Sequence, residues 1–145
     1  MIPQRTTLIT IGAWDVPKLR AFYKRLGWKE TDWSSDSYAV FKNAGCMFSV
    51  WSIDDLSKDA EITVPTSPAY FRGVTLAINV ETREQVDEVL SEAEVAGARI
   101  NRPASDRFWG GRSGCFLDPE NNAWEVAFNP NSVFDESGAM IEMNG

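Results

Sequence analysis

The chain has 145 residues, with 14 Lys and Arg against 21 Asp and Glu, a net charge of −7, and no histidine. That length suits about one domain and can bury a real core, and 43% hydrophobic with 24% charged content is ordinary for a soluble globular protein. No run approaches the roughly 18 apolar residues of a bilayer span, so no membrane association is expected, and the acidic balance argues against nucleic acid, which rewards clustered Lys and Arg.

The absence of histidine excludes a Ser-His-Asp triad, a Cys-His pair and a histidine-ligated zinc or iron. Acid–base work falls to Asp, Glu, Lys, Tyr or Cys. Two cysteines are too few for a disulfide framework. The start, Met1-Ile2-Pro3-Gln4-Arg5, lacks a basic patch followed by an apolar stretch, so a cytoplasmic location is expected.

Thr7-Leu8-Ile9-Thr10-Ile11 reads as the first strand. Asp15 can cap a helix with Pro17 in its first turn, and Leu19, Phe22, Tyr23 and Leu26 fall on one face of it. Gly27 ends that helix. A weaker strand is expected near Trp28 to Trp33, then strands at 38–41 and 46–51 around the turn Asn43-Ala44-Gly45. Residues 52–72, with Asp54, Asp55, Lys58, Asp59, Pro65 and Pro68, read as an exposed linker.

The second half repeats this order. Residues 74–80 form the opening strand, and Thr82 caps a helix with Val86, Val89, Leu90 and Ala93 on one face. Gly97 closes it, 70 residues beyond Gly27. Ala98-Arg99-Ile100 is a short strand, and 114–117 and 124–128 form a hairpin across Asp118-Pro119-Glu120-Asn121-Asn122, where Asn121 can supply a left-handed residue. Residues 131–145 are expected to be an irregular tail. The plan is βαβββ twice, with module one at about 6–52 and module two at 73–130. Charge follows the division: residues 1–72 carry 9 basic and 8 acidic side chains, residues 73–145 carry 5 and 13.

The doubled plan resembles the glyoxalase, bleomycin-resistance and extradiol-dioxygenase superfamily, also called vicinal oxygen chelate proteins. The carrying residues are Trp14-Asp15-Val16 leading to Phe22-Tyr23 and Leu26-Gly27-Trp28, Val86-Asp87 leading to Ala96-Gly97-Ala98, and Asp118-Pro119 leading to Trp124-Glu125-Val126. The resemblance implies an α+β fold of two modules related by pseudo-two-fold symmetry, whose curved mixed sheets enclose a cleft. It also implies a homodimer, to which the basic first helix and the acidic second helix add charge complementarity.

Metal-dependent relatives carry ligands, typically His, Glu, His, Glu, on the first and last strands of each module. Carried over residue by residue, these positions fall here on Leu8, on the stretch Phe48 to Val50, near Thr75, and on Glu125. Only Glu125 is a carboxylate, and one carboxylate does not hold a catalytic metal. No metal or cofactor is therefore expected. What the resemblance leaves is a cleft for a flat apolar or aromatic ligand.

Trp51, Trp109, Arg112 and Glu125 are the candidate ligand-binding residues, expected to line one pocket. Trp109 lies in the loop Arg107-Phe108-Trp109-Gly110-Gly111-Arg112, where an aromatic beside Arg can receive a planar or anionic group. Glu125 is either a carboxylate held within the sheet or a ligand-contacting acid or base. Cys46 and Cys115 each follow a glycine and read as equivalent, buried structural thiols. Two further readings stay open: a lyase or isomerase using Glu125 as its catalytic residue, with or without a divalent metal, and a partner-binding module.

Overall fold

The computed structural model describes residues 1–2, 4–64, 67–68 and 71–143. Its chain divides into two compact units, residues 1–66 and 67–145. Pro65 of the expected linker lies outside the described residues.

The first unit runs β1 (Leu8–Ala13), α1 (Val16–Arg25), β2 (Tyr38–Lys42), β3 (Met47–Ser52) and α2 (Ile53–Ala60). Asp15 caps α1, its carboxylate accepting from the Lys18 N–H at 3.0 Å, and Gly27 takes the positive φ (91°) that stops the helix. The sheet order is β1-β3-β2, with β3 parallel to β1 and antiparallel to β2. Side chains alternate across it. Ala39, Phe41, Phe48 and Val50 turn toward α1, where they meet buried Leu19, Phe22 and Tyr23. Leu8, Thr10, Tyr38, Ser49 and Trp51 occupy the opposite face.

Two expectations for this unit are corrected. The weak strand at 28–33 is reduced to a single bridge between Glu30 and Phe41. The segment expected as linker carries helix α2, capped by Ser52, whose hydroxyl accepts from the Asp55 N–H at 3.4 Å.

The second unit runs β4 (Thr75–Val80), α3 (Arg83–Ala96), β5 (Arg99–Asp106), β6 (Arg112–Leu117), β7 (Ala123–Phe128), β8 (Ser132–Phe134) and β9 (Met140–Met143). A capping box of Thr82 and Gln85 starts α3, and Gly97 at φ 114° ends it. The four-stranded sheet has the order β4-β7-β6-β5, with β7 parallel to β4. Val86, Leu90, Ala93 and Ala96 of α3 are buried, as are Phe116, Trp124 and Val126 of the sheet. Gly114 lets the two layers approach: a Cβ there would collide with Leu90 and with the backbone of Ala104. Thr75, Ser113, Cys115, Ala123 and Glu125 take the other face.

The units follow one βαβββ-type plan, and Leu8 and Thr75 both open the first strand of their unit. β1, α1, β2 and β3 correspond to β4, α3, β6 and β7. That correspondence corrects the reading of the cysteines. Cys115 lies inside β6, whereas Cys46 precedes β3, the counterpart of β7, and both thiols are half-buried. The tail expected to be irregular instead pairs β8 with β9 as a hairpin. Asp135 organises its turn by accepting N–H bonds from Ser137 and Ala139 at 2.9 and 3.0 Å. Among the described residues no helix is long and apolar enough to cross a membrane.

Candidate functional site

The turn Asp118–Asn122 sets where β7 begins. Asp118 is buried, and its Oδ1 accepts the N–H groups of Glu120 and Asn122, each at 2.9 Å, while Oδ2 accepts from Asn122 Nδ2 at 2.7 Å. Asn121 supplies the left-handed residue (φ 65°) expected of it. The resulting register opposes Glu125 to Cys115. Arg72 donates to the Glu120 carbonyl at 3.2 Å and to Asn122 Oδ1, and Asn121 Nδ2 donates to the Pro68 carbonyl at 2.9 Å. These bonds tie the chain entering β4 to the same turn.

Glu125 does not stand alone. Arg102 on edge strand β5 reaches across the face: its Nη2 lies 3.4 Å from Glu125 Oε2, 3.0 Å from Ser113 Oγ and 3.3 Å from Cys115 Sγ, and its Nη1 donates to the Ser113 carbonyl at 3.2 Å. The Arg102 and Glu125 side chains are 32% and 36% exposed, so the pair is open to a ligand but only partly hydrated. Pro103 is tolerated beside Arg102 because β5 is an edge strand with register shifts on both sides of Arg102. Next to this pair lies a groove of about 410 Å³ whose walls include Phe71, Thr75, Cys115, Leu117 and Ala123, with Arg99, Asn101 and Asn121 as polar groups.

The other predicted residues are placed differently. Arg112 opposes Phe128, three residues from Cys115, so its side chain lies on the α3 face rather than beside Glu125. There it donates Nε and Nη2 to Asp87 at 2.8 and 2.9 Å and Nη1 to Asp106 at 3.3 Å. Those bonds, with that of Arg83 to Asp106, hold both carboxyls below the ordinary aspartate range. The indole of Trp109, 38% exposed, fills the space that a Gly111 side chain would take. Gly111 is four residues from Cys115, or about 13 Å along an extended chain. The Arg112 side chain is therefore turned away from Glu125, and the Trp109 indole sits at the Gly111 end of β6. Trp51 lies in the first unit, on the face shared with Thr10 and Tyr38.

A model of the Glyoxalase/Bleomycin resistance protein/Dioxygenase superfamily matches residues 7–126. The chain belongs to that superfamily. Among solved structures it is similar to a glyoxalase-related enzyme from Fulvimarina pelagi, at 26% identity and a TM-score of 0.87, over 98% of this chain and 100% of that one. It is also similar to a glyoxalase/bleomycin resistance protein/dioxygenase family enzyme from Burkholderia phytofirmans PsJN (20%, TM-score 0.74, 86% and 98%). A lactoylglutathione lyase from Agrobacterium tumefaciens shares the fold as well (21%, TM-score 0.67, 88% and 96%). No curated protein matches the chain.

The donor set does not fit the metal of the metal-dependent superfamily members. Leu8 offers no donor. By strand register the counterpart of Glu125 in the first unit is Ser49, whose buried hydroxyl is already bonded to Thr10 Oγ1 at 2.6 Å. Thr75 brings one neutral hydroxyl, and Glu125 faces the fixed cation of Arg102. Among the described residues no three His, Cys, Asp or Glu side chains are grouped as a metal would need.

Proposed function

We propose that this superfamily member binds a small apolar or aromatic molecule without a metal ion. The observation that carries the reading is the Arg102–Glu125 pair. A guanidinium stands against the one carboxylate that the metal-dependent plan retains, and supplies a positive charge there that no solvent cation need provide. Beside it the groove combines apolar walls with a few polar groups, the usual composition of a ligand site. Catalysis by Glu125 as a general base is the rival reading, favoured by the partial exposure of its side chain.

A thermal-shift screen of apolar and aromatic compounds in the presence of EDTA tests the proposal. A ligand at 100 times its Kd stabilises by about 2.7 kcal/mol, a Tm rise of several degrees. Replacing Arg102 with Met is expected to weaken a hit about tenfold, because an unpaired, partly desolvated carboxylate is left beside it. The double variant Arg102→Met, Glu125→Met is expected to recover much of that loss, as paired removal of two partners does. Hits that stabilise only after metal is added would overturn the proposal, and turnover of a hit that is abolished by Glu125→Gln would establish the rival.

A further inference from the structure

The first unit carries its own cavity, of about 440 Å³, lined by Thr10, Tyr38, Trp51, Leu56 and Asp59. Tyr38 and Trp51 are register partners on β2 and β3, and their rings meet edge-on, with centroids 6.0 Å apart and planes at 80°. Two aromatic walls therefore form a corner. Helix α2 supplies the third side. Its first residue, Ile53, occupies the space that a side chain at Gly12 would take, and Gly12 is the β1 partner of Trp51. The missing side chain seats α2 on this face, and Leu56 and Asp59, one turn apart, then line the cavity.

The charge of that third side is uncompensated. Asp59 pairs with no cation among the described residues. It lies in the last turn of α2, where the negative end of the helix dipole disfavours an acid. Asp54 and Asp55 outnumber Lys58 on the same helix. An aromatic corner and a carboxylate at a helix C-terminus both favour positive charge. A single carboxylate is too few ligands for a divalent metal, which needs several oxygens. Asp59 is exposed, and a neutral apolar guest would make no use of its charge.

We propose that this corner binds a small organic cation, a quaternary or protonated amine, over the rings of Trp51 and Tyr38 with Asp59 as its counter-charge. The cavity shares no lining residue with the groove beside the Arg102–Glu125 pair. Choline is the probe, with 3,3-dimethylbutan-1-ol as its uncharged isostere, both titrated at constant ionic strength. The indole N–H resonance of Trp51, assigned by its loss in Trp51→Phe, is the readout. Choline should shift it saturably and the isostere should not. Asp59→Asn should weaken choline about tenfold, the loss of its charged contact. Equal shifts from choline and its isostere, or an Asp59→Asn variant that binds choline as well as the parent, would overturn the proposal. So would a Trp51 resonance that ignores choline but moves with protein concentration, since a second copy of the chain would then cover the corner.

Discussion

Phe41→Ala is expected to destabilise the protein by about 3–5 kcal/mol, the cost of removing a buried aromatic side chain and leaving its cavity. Phe41 is fully buried on β2, with ring centroids 6.2 Å from Tyr23, 6.1 Å from Trp28 and 6.3 Å from Phe48. Tyr23 and Trp28 stack at 5.4 Å, and Phe22 meets Tyr23 edge-on at 5.0 Å. The first unit is thus a three-stranded sheet whose helix α1 packs through rings. Rings are rigid, so neighbours relax into the void less than aliphatic chains do. Total stabilities of about 5–15 kcal/mol make such a loss severe. Urea unfolding followed by circular dichroism checks it: the midpoint should drop steeply with little change in slope. A shift under about 1 kcal/mol would mean that the cluster is not a packed core.

Arg20→Ala should cost about 2–3 kcal/mol near neutral pH, because it breaks a forked, charge-assisted contact. Arg20 Nε and Nη2 bond the two carboxylate oxygens of Glu30 at 2.5 and 2.7 Å, and Nη1 donates to the carbonyls of Ser35 and Asp36 at 2.6 and 3.2 Å. Both side chains are less than one-fifth exposed. This one residue fastens the irregular segment 30–36 to α1. The hydrogen bond from Arg20 holds the Glu30 carboxyl below the ordinary glutamate range, against the opposing pull of burial. A carboxyl whose pKa is lower in the folded chain favours folding above its unfolded pKa. That contribution fades as pH falls through the lowered value. The gap between parent and Arg20→Ala should therefore be widest above about pH 5 and shrink on acidification. Stability curves from pH 2 to 7 read this directly, and a gap that widens toward acid would contradict it.

The elements that sequence pattern revealed are those with local signals. Gly27 and Gly97 end their helices at positive φ, and Asn121 turns the hairpin as its type allows. Burial of Leu19, Phe22 and Tyr23, and of Val86 and Leu90, follows from their helical spacing. The site was harder to read because it depends on strand parity. Arg112 is expected beside Glu125 because its loop leads into the hairpin that carries Glu125, whereas β6 already begins at Arg112 and a three-residue step from Cys115 reverses the face. Arg102 gave no local signal, since the register shifts of β5 decide which face it takes. Two missed elements did carry one. Ser52 with Asp55 is a helix-start pattern that the acidic and proline residues of the segment obscured, and Asp135 with Gly138 (φ 86°) marks the turn of the last hairpin.

The proposed function requires that a guanidinium, not a metal, answer the one retained carboxylate of this superfamily's site. Calorimetric titration of an aromatic hit into chelator-stripped protein, repeated with excess Zn²⁺, Ni²⁺ or Mn²⁺, tests it most directly. The expected result is saturable binding in the stripped protein and affinities that agree within about twofold across all four samples, a difference below about 0.5 kcal/mol. Binding that appears only with metal, and is lost in Glu125→Gln, would contradict it.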